Sequence, residues 1–569
     1  MRLFISLSFF LLSIGGFSQS AFAPLNTDYY HQIDRFEIKS GQLADKFHSN
    51  VKPFTRESVI DLLARVDTSH LVGISEVDAF NRTYLQNDSW EFLSDSAQKQ
   101  ADSRNPFYVF LRKQSDAYSF KNKDFDIHIS PIFNFSYGKE GNDFTKFDGN
   151  KLFINTRGVE IRGMLNKKLG FYSQFTENQM PMPLYVRNYI LQYKDKGFPY
   201  EGFTKIVNED YDRMLLDYFS ARGYISFAPI KSLQLQFGHD KNFIGSGIRS
   251  MILSDFSSPY LQFKATLQLG KLQYTNIVAE LRNNQQPRTA SGDTPILPKY
   301  MAFHHLNVNI TKTINIGLFE SVMFGKRPLG FDLNYLNPVI FYRFVEGYLG
   351  SSDNSMVGAD IKVNILRHVS LYGQFALDEY NKKEINAHPN WWAKKYAGQV
   401  GLKYIDVLGI NNFDLQAEYN FARPFMYSHF SDYSSFVNYN LPLAHPLGAN
   451  FKELLLVAKC QPFKRLFMTF TWMNATKGED FDYRNWGGNV LRLNSDNRAS
   501  EYENTIGQGR TTKISMFDVN TSYMLKHNLF VDLHWLYRNN DSVDPNFDYK
   551  NSQIMFGLRW NFAPRAYMF

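Results

Sequence analysis

From Asp124 onward, hydrophobic and polar residues alternate with a period of two. Phe413, Leu415, Ala417, Tyr419 and Phe421 are interleaved with Asp414, Gln416, Glu418 and Asn420. The same alternation places Leu261, Phe263, Ala265, Leu267 and Leu269 on one face of a strand. It does so again for Leu529, Val531, Leu533, Trp535 and Tyr537, and for Ile554, Phe556, Leu558, Trp560 and Phe562. Strands of this kind have one apolar and one polar face. They run for about ten residues or more, enough to cross a bilayer at a tilt. Tyr, Phe and Trp crowd the apolar faces, as interfacial girdles require. Charges on the opposite faces suit a wet lumen far better than the core of a soluble sandwich.

Tight and long connections alternate along this region. Asn166-Lys167-Lys168, Gly270-Lys271, Leu366-Arg367-His368 and Lys526-His527-Asn528 are among the tight ones; residues 177–213, 326–353, 423–450 and 475–511 are among the long ones. The pattern predicts an all-β fold, an antiparallel transmembrane barrel of about 18 strands over residues 124–569. Its short turns are expected in the periplasm and its long loops outside. Glu320 breaks the pattern, because it shares parity with the lipid-facing Ile314, Ile316 and Leu318. Either a β-bulge shifts the register there or Glu320 lies near a membrane edge, and the bulge is the expected one.

Before Asp124 the period is helical. Thr55 is placed to cap a helix that carries Val59, Ile60, Leu62, Leu63 and Val66 on one face, and Ser75-Glu76-Val77-Asp78 reads as a capping box. Val77, Phe80 and Tyr84 follow at helical spacing. Residues 20–123 are therefore expected to form a small, partly helical periplasmic segment, with Lys121–Lys123 as the linker. Arg2 and the apolar run Leu3–Phe17 have the layout of a secretory signal. Residues 1–19 are assigned to it, with cleavage between 18 and 20.

Composition narrows the functional classes. Aromatic residues are abundant, at 52 Phe, 34 Tyr and 7 Trp. Cys460 is the single cysteine, which removes disulfide frameworks and Cys-based zinc sites. The net charge of +7 is spread along the chain and gives no nucleic-acid footprint. Catalytic motifs are weak. Gly245-Ser246-Gly247 lacks the third glycine and the βαβ context of a nucleotide loop. His239 and Ser254 lie near each other in sequence but without a nucleophile elbow. His304 and His305 alternate faces on a strand and cannot share a metal as neighbours. Asp541, Asp544 and Asp548 read as a solvated acidic loop. No enzyme, metal or cofactor is expected.

The long loops are richer. Trp391, Trp392 and Lys394 stand together in one, and Tyr483, Arg484 and Trp486 in another. Aromatic faces stack on sugar rings, and Lys and Arg pair with anionic sugars. These six are the candidate sugar-contacting residues. Lumen-facing Lys264, Lys362, Lys403 and Arg559 are balanced by Asp360, Asp414, Glu418 and Asp532, which points to a blocked or narrow lumen. Phe569, after the last alternating strand, is the expected membrane-assembly residue.

The stretch Phe243–Pro259, aligned on Gly245, Gly247, Ser254 and Pro259, resembles a segment of capsule-assembly Wzi-like proteins. A closer resemblance is to the gliding-motility RemB family. It is carried by Asp28-Tyr29-Tyr30-His31 through Ile38-Lys39-Ser40-Gly41, by Asn337-Pro338-Val339-Ile340-Phe341-Tyr342-Arg343, by Gly350–Asn354 and by Leu371–Phe375. The resemblance implies an 18-stranded outer-membrane barrel with a periplasmic helical part. It also implies a non-enzymatic role in attaching or assembling surface polysaccharide, in gliding motility, or in both. The partners it implies are outer-membrane lipid, surface polysaccharide, the barrel assembly machinery and other motility or envelope proteins. The alternatives are a porin-like channel for solutes and, behind it, a barrel lipase.

Overall fold

The computed structural model describes residues 21–68, 74–103, 110–142, 149–192, 197–202, 205–208, 214–283, 296–327, 330–339, 341–565 and 567–569. The signal segment 1–19 lies outside them. The alternating segments form β1 (Phe125–Gly141), β2 (Lys151–Leu165), β3 (Leu169–Pro181), β4 (Leu215–Ile230), β5 (Leu233–Asp240) and β6 (Tyr260–Leu269). They continue as β7 (Leu272–Asn283), β8 (Leu297–Asn309), β9 (Ile314–Phe324), β10 (Asn354–Ile365), β11 (Val369–Glu379) and β12 (Lys395–Tyr404). The last six are β13 (Phe413–Ala422), β14 (Phe451–Phe463), β15 (Leu466–Glu479), β16 (Arg510–Lys526), β17 (Leu529–Ser542) and β18 (Tyr549–Trp560). Each pairs antiparallel with the next, and β18 pairs with β1, so the described residues close an 18-stranded barrel with no free edge. The tight turns all lie at one end. At Asn166-Lys167 and Leu366-Arg367 both central residues take positive φ, the twist that joins two right-handed strands in so few residues.

Alternation sorts the wall into two faces. On β13, Asp414, Glu418 and Asn420 are buried in the lumen, while Leu415 and Tyr419 are exposed on the outside. The exposed apolar residues Phe237, Phe263, Leu318, Val357, Phe375 and Phe556 continue this outer belt.

The segment before β1 packs into the turn end of the lumen. It holds α1 (Thr27–Ser40), α2 (Arg56–Thr68) and α3 (Glu76–Asp88). The expected capping box is present: Ser75 Oγ accepts from the Asp78 amide, and Asp78 accepts from the Ser75 amide. The buried face of α3 is not the apolar one anticipated, however. It carries Asp78, Asn81 and Leu85, because α3 meets the polar barrel mouth. Arg35 of α1 donates to Asp78 at 2.9 Å and also reaches Asp406 and Asp414 of the barrel. Lys362 and Lys403 project from the wall to Glu37 and Asp34 of α1.

The lumen charges are thus balanced largely by elements inserted into the lumen rather than by one another across it. Arg559 and Asp532, which pair at 2.7 Å within the wall, behave as the sequence pattern anticipated.

Candidate functional site

Residues 241–259, between β5 and β6, turn inward and thread the lumen. Phe243 and Ile244 pair with Lys52 and Val51 of the N-terminal segment. A Cβ at Gly245, whose φ is +142°, would meet the Gln374 amide, and one at Gly247 would meet the Glu418 carboxylate. That carboxylate accepts from the amides of Ile248 (2.8 Å) and Arg249 (3.0 Å). The two glycines are therefore required by close backbone approach to the wall. Ser254 donates from Oγ to Leu443 O (3.2 Å) and receives the Phe256 amide (3.3 Å), and Pro259 leads into β6. His239 lies on the outer face of β5, on the parity of exposed Phe237, whereas Ser254 is buried inside. The wall separates the two, so they form no catalytic pair.

The loop between β13 and β14 (423–450) closes the lumen from the other end. Tyr427, Phe436, Leu441 and Leu443 pack with Met251, Ile252 and Leu253 in one core. The C-terminal residues join it from within. The last strand ends at Trp560, and Phe569 is buried against Tyr189 (4.2 Å between ring centroids), Tyr185 (5.8 Å) and Phe256 (6.0 Å). Phe569 therefore occupies the interior and not the lipid-facing end of a strand.

At the outer end, the two loops that carry the candidate residues fold together. The Trp392 amide donates to Glu501 O (2.9 Å) and the Asn504 amide to Asn390 O (2.9 Å). Phe425 bridges them, with its ring 5.6 Å from Trp392 and its amide donating to Gly487 O at 2.9 Å. Trp392 offers no open stacking face on one side, because the Arg498 guanidinium lies 3.6 Å from its centroid and Trp391 meets it edge-on. Lys394 leans over Tyr396 at 5.8 Å. Trp486 is half-buried, held by its amide on Asp480 (2.9 Å) and its indole N–H on Phe481 O (3.1 Å). Burial pushes the Asp480 carboxyl up, against the Trp486 amide and Arg492, which favour its charged form.

The exposed part of this cap is narrower than the six candidates. Tyr483 is 91% exposed and Phe481 47%, and the Arg484 guanidinium sits 5.1 Å from the Trp486 ring. Tyr483 takes positive φ, and its carbonyl accepts from Arg492 (2.9 Å) and Asn497 (3.0 Å), so its backbone is fixed while its ring projects. Phe481, Arg498 and the bridging Phe425 were not singled out in the sequence. Nothing in the local pattern marks them, because their roles arise where distant loops meet.

The other residues of the sequence resemblance, Asn337, Pro338, Tyr342 and Arg343, lie elsewhere. They belong to the loop between β9 and β10, on the outside of the wall. Glu320 faces outward beneath them. β9 pairs with β8 and β10 without a register shift, so the expected bulge is absent. The carboxylate is instead accommodated by His304 (3.0 Å) and by the amides of Tyr342 (2.9 Å) and Arg343 (3.1 Å).

The family model for capsule assembly protein Wzi matches residues 146–543. The chain belongs to the Wzi capsule assembly family. Among solved structures, the Escherichia coli outer-membrane protein Wzi, described as involved in group 1 capsule assembly and as a carbohydrate-binding β-barrel, is similar at a TM-score of 0.55 and 11% identity. That likeness covers 96% of this chain and 100% of that one. Pseudomonas aeruginosa OprD matches at TM-score 0.39 and 9% identity, over 76% of this chain and 94% of that one. Acinetobacter baumannii OccAB4 matches at 0.39 and 10%, over 77% and 98%. No curated protein matches the chain. As a Wzi-family barrel the chain is an outer-membrane protein with surface-exposed loops.

Proposed function

We propose that this Wzi-family barrel is a non-enzymatic protein that holds surface polysaccharide on its outer cap. The observation that carries the reading is the union of the two candidate loops into one surface, from which Tyr483, Phe481 and Arg484 project. Exposed rings supply stacking faces for the apolar C–H side of a sugar, and a guanidinium supplies paired donors for a carboxylate on it. The carbohydrate binding described for Escherichia coli Wzi supports the same reading. The packing of residues 241–259 against loop 423–450 inside the lumen favours it over a solute channel, which needs a water path between the two ends. The barrel assembly machinery remains the partner proposed for insertion.

The test is binding of purified capsular polysaccharide to the protein in detergent. Replacing Tyr483 and Arg484 by Ala should weaken binding roughly tenfold, about 1.4 kcal/mol, with the barrel still heat-modifiable on a gel. Unchanged binding and unchanged capsule retention in the variant would remove the cap from consideration. Surface spreading, the role implied by the RemB resemblance, is scored in the same strains.

A further inference from the structure

The loop between β9 and β10 does not rise away from the barrel. It folds down over the outer face of β7, β8 and β9. Tyr335, Tyr342 and Val345 pack on Ala302, Val322 and Phe324, whose strand neighbours of opposite parity face the lumen. Pro338 reaches far down the wall, because its carbonyl accepts from the hydroxyl of Tyr274, only two residues from the turn-side start of β7. At that level the wall carries the belt residues Leu306 and Leu318, both exposed.

Two faces of this strap differ sharply. The inner face adds polar contacts to that apolar cluster where it meets the wall. Glu320 caps the first two amides of the helix Tyr342–Leu349, His304 stacks on Tyr342 at 4.4 Å, and Asn276 contacts the Tyr342 hydroxyl at 3.5 Å. The outer face is largely apolar and uncovered: Leu333 is 73% exposed, Val339 86%, Phe341 63%, Phe344 61% and Tyr348 83%, while Asn334, Asn337 and Arg343 are the exposed polar residues among them and Arg343 pairs with Glu346 at 2.6 Å.

We propose that the strap is a lipid-immersed element, its outer face in contact with the acyl chains of the outer membrane. Three observations select lipid as the occupant. The apolar face is continuous with the lipid-facing belt at Leu306, Leu318 and Val357. A water-facing surface does not carry so many large apolar side chains together. The polar side chains on the outer wall, Tyr274, Asn276, His304 and Glu320, would be costly against hydrocarbon, yet each contacts the strap. Hydrocarbon offers no partner for a loop's backbone groups, so a loop at this depth must find them on the protein. Glu320 thus serves as the latch that satisfies the strap's helix start, which explains a carboxylate on the lipid parity.

The experiment uses the full chain with Cys460 replaced by Ser. Single cysteines are placed at Val339, Phe344 and, as a water-exposed control in the loop between β17 and β18, Val543, which is 69% exposed. Intact cells are treated with a membrane-impermeant maleimide. Labelling at Val339 and Phe344 should be at least tenfold slower than at Val543. In vesicles of outer-membrane lipid, a photo-crosslinking side chain at Phe344 should yield lipid adducts by mass spectrometry. Glu320→Ala should raise labelling at Val339 toward the control. Labelling as fast as at Val543 would overturn the proposal. A discrete protein-sized adduct in cells would also overturn it, in favour of a protein docking on this face. Each cysteine replaces an exposed residue, so folding of the barrel does not confound the comparison.

Discussion

Arg249 and Glu453 are joined by two hydrogen bonds, of 2.8 and 3.2 Å, with both side chains buried inside the barrel. The pair ties the inward segment 241–259 to β14. A buried ion pair adds little net stability, but removing one partner leaves the other charged and unpaired.

Arg249→Met is therefore expected to destabilise the interior by about 3 kcal/mol, with Glu453 left to His445 and the Asn420 amide. Thermal unfolding in detergent, followed by heat-modifiability, measures this. A second replacement, Glu453→Gln, should recover much of the loss. Equal melting of the Arg249 variant and the parent would mean that the segment is held by its apolar contacts.

At the other end, Arg35 meets Asp78, Asp406 and Asp414. Arg35→Met leaves Lys39 as the remaining cation on Asp78 and Asp406. The N-terminal segment should then loosen from the barrel mouth while the wall stays intact. Limited proteolysis of the folded barrel reads this directly. The variant should be cut within residues 21–68 at protease levels that leave the parent intact. Equal resistance of both would show that α1 is anchored well enough by Lys362 and Lys403.

Acid should loosen the outer loop 423–450. Burial holds His429 down to about 3, with Lys395 adding to the effect, and burial holds His445 down to about 4 against the pull of Glu453. Both folded values lie below the ordinary histidine value of about 6.5. Between those limits the unfolded loop binds more protons than the folded one, so stability is full above pH ~6.5 and falls as pH drops. By pH 5 each histidine withdraws up to about 2 kcal/mol. Limited proteolysis at pH 7.5 and pH 5 should show new cleavage in 423–450 at the lower pH. His429→Gln should reduce the difference.

Phe569 lies nine residues beyond the end of β18 and inside the aromatic cluster of Tyr185, Tyr189 and Phe256. Phe569→Ala should leave the amount of barrel in the outer membrane near normal and lower its melting temperature, through a cavity worth about 3 kcal/mol. A large fall in the amount of barrel with unchanged melting of what remains would assign the residue to assembly.

The wall was legible because a strand that separates lipid from water must alternate, and alternation is a local signal. Phe413 to Phe421 show it without any knowledge of their neighbours. Helix starts were legible for the same reason, as Ser75 and Asp78 illustrate. The interior was not. Arg35 lies 379 positions from Asp414 in the chain, and no periodicity links them. Glu320 shows the limit from the other side. Its lipid parity is plain in the sequence, but the strap that shelters it is a long loop with no pattern of its own, so the sequence alone points to a bulge. Of the site, the residue types were visible in Trp392 and Tyr483, while their different exposures depended on Arg498 and on the φ of Tyr483.

The inward segment that pairs Phe243 and Ile244 with Lys52 and Val51 has a consequence for how the molecule is made. The seam between β1 and β18 joins the two ends of the sheet, so it can zip only after all 18 strands exist. The first helices, residues 241–259 and loop 423–450 lie in the space that the seam encloses. Most contacts that shape this barrel join residues well separated in sequence, which makes the search slow. Wall and contents are one continuous chain, so the seam closes on a sheet that already carries, covalently attached, everything the lumen will hold.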